Sequence, residues 1–224
     1  MTFDIAWKQN FNMKVAVIWT VSDFPAYGML SGWMTAGRLS CPYCMEKTKS
    51  FRLKHGNKHS WFDCHRQFLP ANHIFRSNKS AFYKNREEHS PPPSRLQGEE
   101  IWERVSALPK ASDHQGKVPG YGESHNWSRR SIFWDLPYWS KLLIRHNLDV
   151  MHIEKNVFEQ IINTIMSVKG KSKDDINSRK DLAIHCKRRK LNLQVTDDSV
   201  GGRREVMPTA PYALSKEQRK VLCE

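Results

Sequence analysis

Acidic residues are scarce in this chain: 23 Asp and Glu stand against 36 Lys and Arg, leaving a formal charge of +13. That imbalance favours polyanionic partners, through counterion release and electrostatic steering. The positive charge is not gathered in a tail. It recurs in "FRLKHGNKH", "HRQF", "FRSNKSAFYKNR", "WSRRS" and "CKRRK", a distribution that points to nucleic acid. Long apolar runs are missing too, none approaching the ~20 residues of a membrane span. No N-terminal stretch has the charged and apolar regions of a signal peptide. Cysteine is sparse and odd in number, five with a single CxxC, which excludes a disulfide framework and predicts a reducing compartment. Aliphatic residues are few as well, so the eight Trp and ten Phe must supply much of any core. No internal repeat is present.

The apolar run "KVAVIWTV", residues 14–21, is β-branched without alternation and predicts a strand buried on both faces. "DFPAYG" then breaks it. Residues 29–65 are rich in Gly, Cys, His and Lys, as in a small metal-stapled module, and short helices broken near Pro70 follow. The prolines of "HSPPPSRLQGEE" open an extended stretch, "LQGEEIWERVSAL" predicts a short amphipathic helix, and 109–126 reads as a polar loop. From Asn156 onward, Val157, Ile161, Ile162, Ile165 and Met166 recur at helical spacing. A further helix is predicted from near Asp174, and another after Ser215 as its N-cap. These readings divide the chain into a core strand and turn (1–30), a zinc-knuckle module (31–90), a Pro/Gly-rich linker (91–126) and a helical part (127–224).

Three constellations carry candidate chemistry. Asp23 ends the apolar run, where open α/β sheets place their ligands; such a carboxylate serves a two-metal phosphoryl-transfer site or caps the "SDFP" turn. Cys41 and Cys44 flank Pro42 and Tyr43, a gap that lets both thiolates meet one tetrahedral zinc. A redox dithiol is the alternative. Two more ligands are needed, with Cys64 and His65 nearby and His146 and His152 farther along. "HNLDVMHIEKNV" adds Asp149 and His152, three apart on one helix face, and Glu154 as a candidate carboxylate. "KRRK" at Lys187–Lys190 is either a nuclear import patch or a solvated helix end. The aromatic and basic interleaving of "NWSRRSIFWDLPYWSK" suits base stacking or a core.

The blocks "WTVSDFPAYGMLSGWMTAGRLSCPYCMEKTKSFRLKHGNKHSWFDCHRQFLPANHIFR" and "FWDLPYWSKLLIRHNLDVMHIEKNVFEQIINTIMSVKGKSKDD" resemble the transposases of plant CACTA-type (En/Spm-like) DNA transposons. The resemblance implies a mixed α/β, RNase H-like nucleotidyltransferase domain with a zinc-binding insertion and a helical C-terminal part. It implies an acidic triad holding Mg2+ or Mn2+, a structural Zn2+, and nicking and joining at terminal inverted repeats. Asp23 matches the second acid of the triad and is implied as both catalytic and metal-ligating. In a related transposase-derived recombinase, which rearranges antigen-receptor genes, a downstream His pair completes the zinc site. That makes His146 and His152 the first choice beside Cys41 and Cys44, with His65 the runner-up. The first acid is expected upstream of this sequence and the third beyond Glu224, with Glu154 the alternative inside it. The chain is therefore expected to be a fragment, inactive alone. The implied partners are DNA (transposon ends and target), a second copy and a second element-encoded protein, in the nucleus and with no membrane. A reading of a different class is a zinc-stabilised basic DNA-binding module without catalysis.

Overall fold

Regular structure comes in short pieces, because proline, glycine and turn-forming polar residues interrupt nearly every apolar segment. The computed structural model describes residues 1–110, 118–197 and 202–223. An antiparallel pair, β1 (Thr2–Asp4) and β2 (Gln9–Phe11), opens the chain. Next come β3 (Thr20–Ser22) and α1 (Phe24–Ser31), then a second small hairpin of β4 (Phe51–Arg52) and β5 (His59–Ser60). Helices α2 (Ile74–Ser77) and α3 (Gly98–Val105) precede β6 (His146–Leu148). The chain continues through α4 (Val150–Ile165), α5 (Ile176–His185), the hairpin of β7 (Gln194–Asp197) and β8 (Arg203–Val206), and α6 (Lys216–Cys223). The fold class is mixed α/β. Residues 111–117 of the predicted polar loop lie outside the described residues.

One pairing joins the two halves. β3 runs parallel to β6, with Thr20 opposite His146, Val21 opposite Asn147 and Ser22 opposite Leu148. Thr20 N–H donates to the Arg145 carbonyl at 3.0 Å, and Asp149 N–H donates to the Ser22 carbonyl at 2.8 Å. The strand predicted over 14–21 is confined to this short piece. β6 offers only three residues to pair with, and Val15, Val17, Ile18 and Trp19 stay exposed. α4 forms where the helical spacing predicts it, yet none of its residues is buried, and Val157, Phe158 and Ile161 face solvent. No helix among the described residues is long and apolar enough to cross a membrane.

The core is aromatic, as the scarcity of aliphatics requires. Trp33, Trp127, Trp134 and Trp139 cluster with Leu39, Met45, Ile101 and Val105. Trp33 and Trp127 meet edge to face at 5.1 Å, a favoured aromatic geometry. Trp33 Nε1–H donates to the Leu39 carbonyl, and the Asn126 side-chain amide donates to the carbonyls of Met34 and Ala36. Ile101 and Val105 enter this core from α3.

Irregular backbone must still find hydrogen-bond partners where it is buried, and two arginines supply them. The Arg66 guanidinium, 5 % exposed, donates to the carbonyls of Asp63, Phe75, Asn78 and Arg86, lies 3.6 Å from the Asp63 carboxylate, and sits 4.0 Å over the Phe82 ring. Arg76 donates to the carbonyls of Gln67 at 2.9 Å and Ser90 at 3.0 Å. Together they fix residues 63–90, which have almost no ladder of their own. Arg66→Met should therefore cost about 3–5 kcal/mol in urea unfolding, because it strands Asp63 and several carbonyls at once. Arg66→Lys should recover less than half of that loss, since an ammonium lacks the planar fork that reaches four carbonyls. A loss below about 1 kcal/mol in Arg66→Met would contradict this assignment.

Candidate metal centre

The Cys-Pro-Tyr-Cys segment folds as a knuckle. Met45 N–H donates to the Cys41 carbonyl at 2.9 Å, and Lys47 N–H donates to the Cys44 carbonyl at 2.9 Å as a single 3-10 turn, Met45–Lys47, begins. Met45 takes a left-handed φ of 47° and is buried in the core cluster, which ties the knuckle to the body of the protein. Thr48 Oγ1–H closes the turn by donating to the Met45 carbonyl at 2.6 Å. A second 3-10 turn, Cys64–Phe68, presents His65, whose Nε2 lies 3.9 Å from Cys44 Sγ. Tyr43 packs edge-on against Phe68 at 5.4 Å, joining the two ligand-bearing turns. The Sγ atoms of Cys41 and Cys44 and a ring nitrogen of His65 all lie within 4.8 Å of one another.

The electrostatics suit a cation. The hydrogen bond from Cys44 drives the Cys41 thiol down to about 4 against the cost of burial, helped by His65 and by the backbone N–H groups of Cys44 and Tyr43. The partner thiol, Cys44, is pushed up by that same hydrogen bond, by burial and by the Cys41 charge. The pair thus shares one proton between two sulfurs beside an imidazole. Two soft thiolates and a nitrogen at this separation fit Zn2+, with one tetrahedral position left for a further ligand. Cys64 stays outside the group, its thiol raised to about 11 by burial and by Asp63.

The two distant histidines go elsewhere. His146 Nδ1 and Thr20 Oγ1 are 2.8 Å apart across the β3–β6 pair, and the ring packs against Tyr27, Phe133 and Trp139. Burial, with the Arg145 charge adding to it, lowers His146 to about 4. His152 is exposed at the start of α4, where its backbone N–H, not its ring, meets Asp149 Oδ1 at 3.2 Å. Glu154 is exposed one turn into the same helix. The structure therefore brings His65 to the cysteines and leaves His146 and His152 outside their reach.

Asp23 is the N-cap of α1, accepting from Ala26 N–H at 2.8 Å through Oδ1. Asp149 is the N-cap of α4 in the same way. Because β3 and β6 are parallel and in register up to Ser22 and Leu148, the two aspartates follow the same ends of adjacent strands. Among the described residues, neither Oδ2 has a hydrogen-bond partner. This pairing escaped the sequence reading, which set Asp149 beside His152 on a helix face. The available signal was the echo of "TVSDF" in "HNLDV", a short strand followed by a capping aspartate.

Purified protein should carry one zinc per chain. Cys41→Ser, Cys44→Ser or His65→Ala should each weaken metal binding by more than the about 10–100-fold typical of losing a supporting contact, whereas His152→Ala should leave the stoichiometry at one. Full zinc retention in Cys41→Ser/Cys44→Ser would contradict the site. His146 gives a pH signature. Its folded-state pKa lies below the ordinary value, so the contribution is complete above pH ~6.5 and fades as pH falls toward ~4, by up to about 3 kcal/mol. His146→Asn should flatten that part of the stability profile.

Residues 1–108 match the model of a family described as Transposase family tnp2. No curated protein and no solved structure matches the chain. The family match spans just under half of the sequence and takes in Asp23, both knuckle cysteines and His65.

Proposed function

We propose that this chain forms part of the catalytic core of a DNA transposase of the acidic-triad class, acting at the terminal inverted repeats of a CACTA-type element. The observation that supports this best is the parallel β3–β6 pairing, which sets Asp23 and Asp149 at matching strand ends. Their uncommitted carboxylate oxygens are hard donors, suited to Mg2+ or Mn2+. A divalent ion held there would supply activation of the attacking oxygen and stabilisation of the leaving oxygen on phosphorus.

The chain's own residues do the positioning. Asp23 and Asp149 each commit Oδ1 to a backbone N–H of the following helix, which fixes the orientation of the other oxygen. α1 and α4 both begin at these strand ends, so their N-terminal N–H groups and positive dipole ends favour a phosphate there. The Cys41–Cys44–His65 centre lies outside this carboxylate pair and serves the fold, with Zn2+ as a structural ion. The +13 charge favours DNA, and "KRRK" at Lys187–Lys190 serves nuclear import in this reading.

A second reading has an observation of its own. The one group of three metal-binding side chains among the described residues is the Cys/His cluster, and no third carboxylate joins Asp23 and Asp149. That favours a zinc-stabilised DNA-binding module that does not cleave by itself.

Two measurements separate these outcomes. Affinity for duplex DNA should fall steeply with salt, each neutralised phosphate adding about −0.9 to the log–log slope; a flat profile rejects both readings. In a nicking assay on supercoiled plasmid, the chain by itself should leave DNA intact in Mg2+ or Mn2+, because two-metal chemistry needs further carboxylates to hold ions ~3.5–4 Å apart. Nicking that Asp23→Ala abolishes would show the described acids to be sufficient and make Glu154 the next ligand to replace. If the wild type is silent, a chain extended at both ends should nick only with Asp23 and Asp149 intact.

A further inference from the structure

Three basic segments, far apart in sequence, are pinned to one another on the surface of the fold. The β4–β5 hairpin carries Lys54 and Lys58 near its tip, both exposed. The 3-10 turn Tyr83–Asn85 carries Lys84 and leads into Arg86, again both exposed. The "KRRK" stretch, residues 187–190, follows the C-terminal end of α5. Asp181 of α5, 2 % exposed, accepts from the N–H groups of His55 at 2.9 Å and Gly56 at 2.7 Å, which fastens the hairpin tip to the helix. Phe51 of β4 stacks on Tyr83 at 4.0 Å. His185, about one helical turn beyond Asp181, packs against both rings at 5.2 and 4.9 Å. Lys187 N–H donates to the Ser80 carbonyl at 3.0 Å, and Cys186 Sγ–H donates to the Ala81 carbonyl at 3.4 Å. A 3-10 turn, Arg189–Leu191, then buries Leu191. The "KRRK" backbone is thus held at both ends while its side chains stay exposed.

The cations of these segments lack counterions. Lys54, Lys58, Lys84, Arg86 and residues 187–190 form no ion pair among the described residues. The acids of the same region are already committed. Asp181 is taken up by the two hairpin N–H groups, Asp63 by Arg66, Glu87 by Lys79 and His89, and Glu88 by Lys49. A fold that gathers like charges and leaves them unpaired holds a strong local positive potential. Lys84 adds evidence from the backbone. Its φ of 51° lies in the left-handed region, which a glycine would occupy at lower cost. Strain kept in place to present a charged side chain points to a use for that charge.

From this arrangement we infer that the hairpin tip, the turn at Lys84 and the "KRRK" stretch form one docking surface for the phosphate backbone of duplex DNA. The inference rests on the DNA reading above and deepens it by naming the surface that meets the duplex. Duplex DNA carries one charge per ~1.7 Å of its axis, so a pinned cluster of unpaired cations displaces many condensed counterions at once. Lys and Arg on phosphates fix register and orientation and carry no sequence information themselves. The surface therefore positions DNA and leaves the choice of sequence to other parts of the protein. Residues 187–190 serve this contact once the chain is in the nucleus, in addition to the import assigned to them above.

The test measures affinity of the full chain, zinc-loaded, for a short random-sequence duplex between ~50 and ~200 mM salt. Lys54→Gln/Lys58→Gln and Arg189→Gln/Lys190→Gln should each weaken binding at least about tenfold at the low-salt end, and make the log–log slope shallower by about 1–2. The control, Lys8→Gln/Lys14→Gln, removes the same charge from exposed positions outside the three segments. It should change affinity by less than about twofold, because distant charges are screened. Lys84→Gly separates docking from folding. It should weaken binding about three- to tenfold while the melting midpoint stays at or above that of the wild type. Zinc content should be unchanged in every variant. A control that weakens binding as much as the paired substitutions, or paired substitutions that leave the slope unchanged, overturns the surface and leaves the DNA reading standing. A wild type without salt-dependent binding overturns that reading instead. Tighter binding of an RNA duplex of the same sequence, lost in the same variants, would overturn the DNA source and assign the surface to RNA.

Discussion

The placement of the two strand-end aspartates depends on three paired residues on each of two strands. The β3–β6 ladder closes a loop of 126 residues, and that closure entropy must be met by few hydrogen bonds. In return it fixes the helix starts of α1 and α4, the capping aspartates at both, and the His146 ring under Thr20. A ladder this short does not hold such a loop alone. The tryptophan cluster, drawing on residues 33–45, 101–105 and 127–139, clamps the segments on either side of it.

The candidate metal centre and the buried arginines answer one problem by two means. Residues 41–90 carry little regular structure, so their carbonyls and turns need partners that no ladder provides. Arg66 and Arg76 collect the carbonyls of 63–90 with charge-assisted bonds. Cys44 Sγ lies 3.9 Å from His65 Nε2, which brings the first turn of this region to the second, and Tyr43 packs edge-on against Phe68 at the junction. The knuckle then reaches the core through Met45.

Much of this was legible in the sequence where the signal is local. The spacing of Val157, Ile161 and Ile165 marks α4 and the CxxC marks the knuckle, whereas "DFPAYG" reads as a turn and gives no sign of the helix α1 that Asp23 caps. Non-local pairing left weaker traces. His65 stands 21 residues from Cys44 with no periodic relation to it, so spacing alone gave no reason to prefer it over His146 or His152. The strand over 14–21 is short because its extent depends on a partner whose length the sequence does not display. Asp149 read as part of a helix face because "HNL" is too brief to announce a strand. Buried arginines are hidden for a different reason. In a chain with so many cations, each reads as solvated surface until its carbonyl partners are known.

In the function proposed above, Asp23 and Asp149, though far apart in the chain, act as one cation site beside a separate zinc centre. Localised hydroxyl-radical cleavage tests it most directly: zinc-loaded protein is incubated with Fe2+ in place of Mg2+, then with ascorbate and peroxide, and the backbone cuts are mapped. Two cuts are expected, one near residue 23 and one near residue 149, both suppressed by excess Mg2+ and both lost in Asp149→Asn. Cleavage near only one aspartate, or a cut near residue 23 that survives Asp149→Asn, would contradict it.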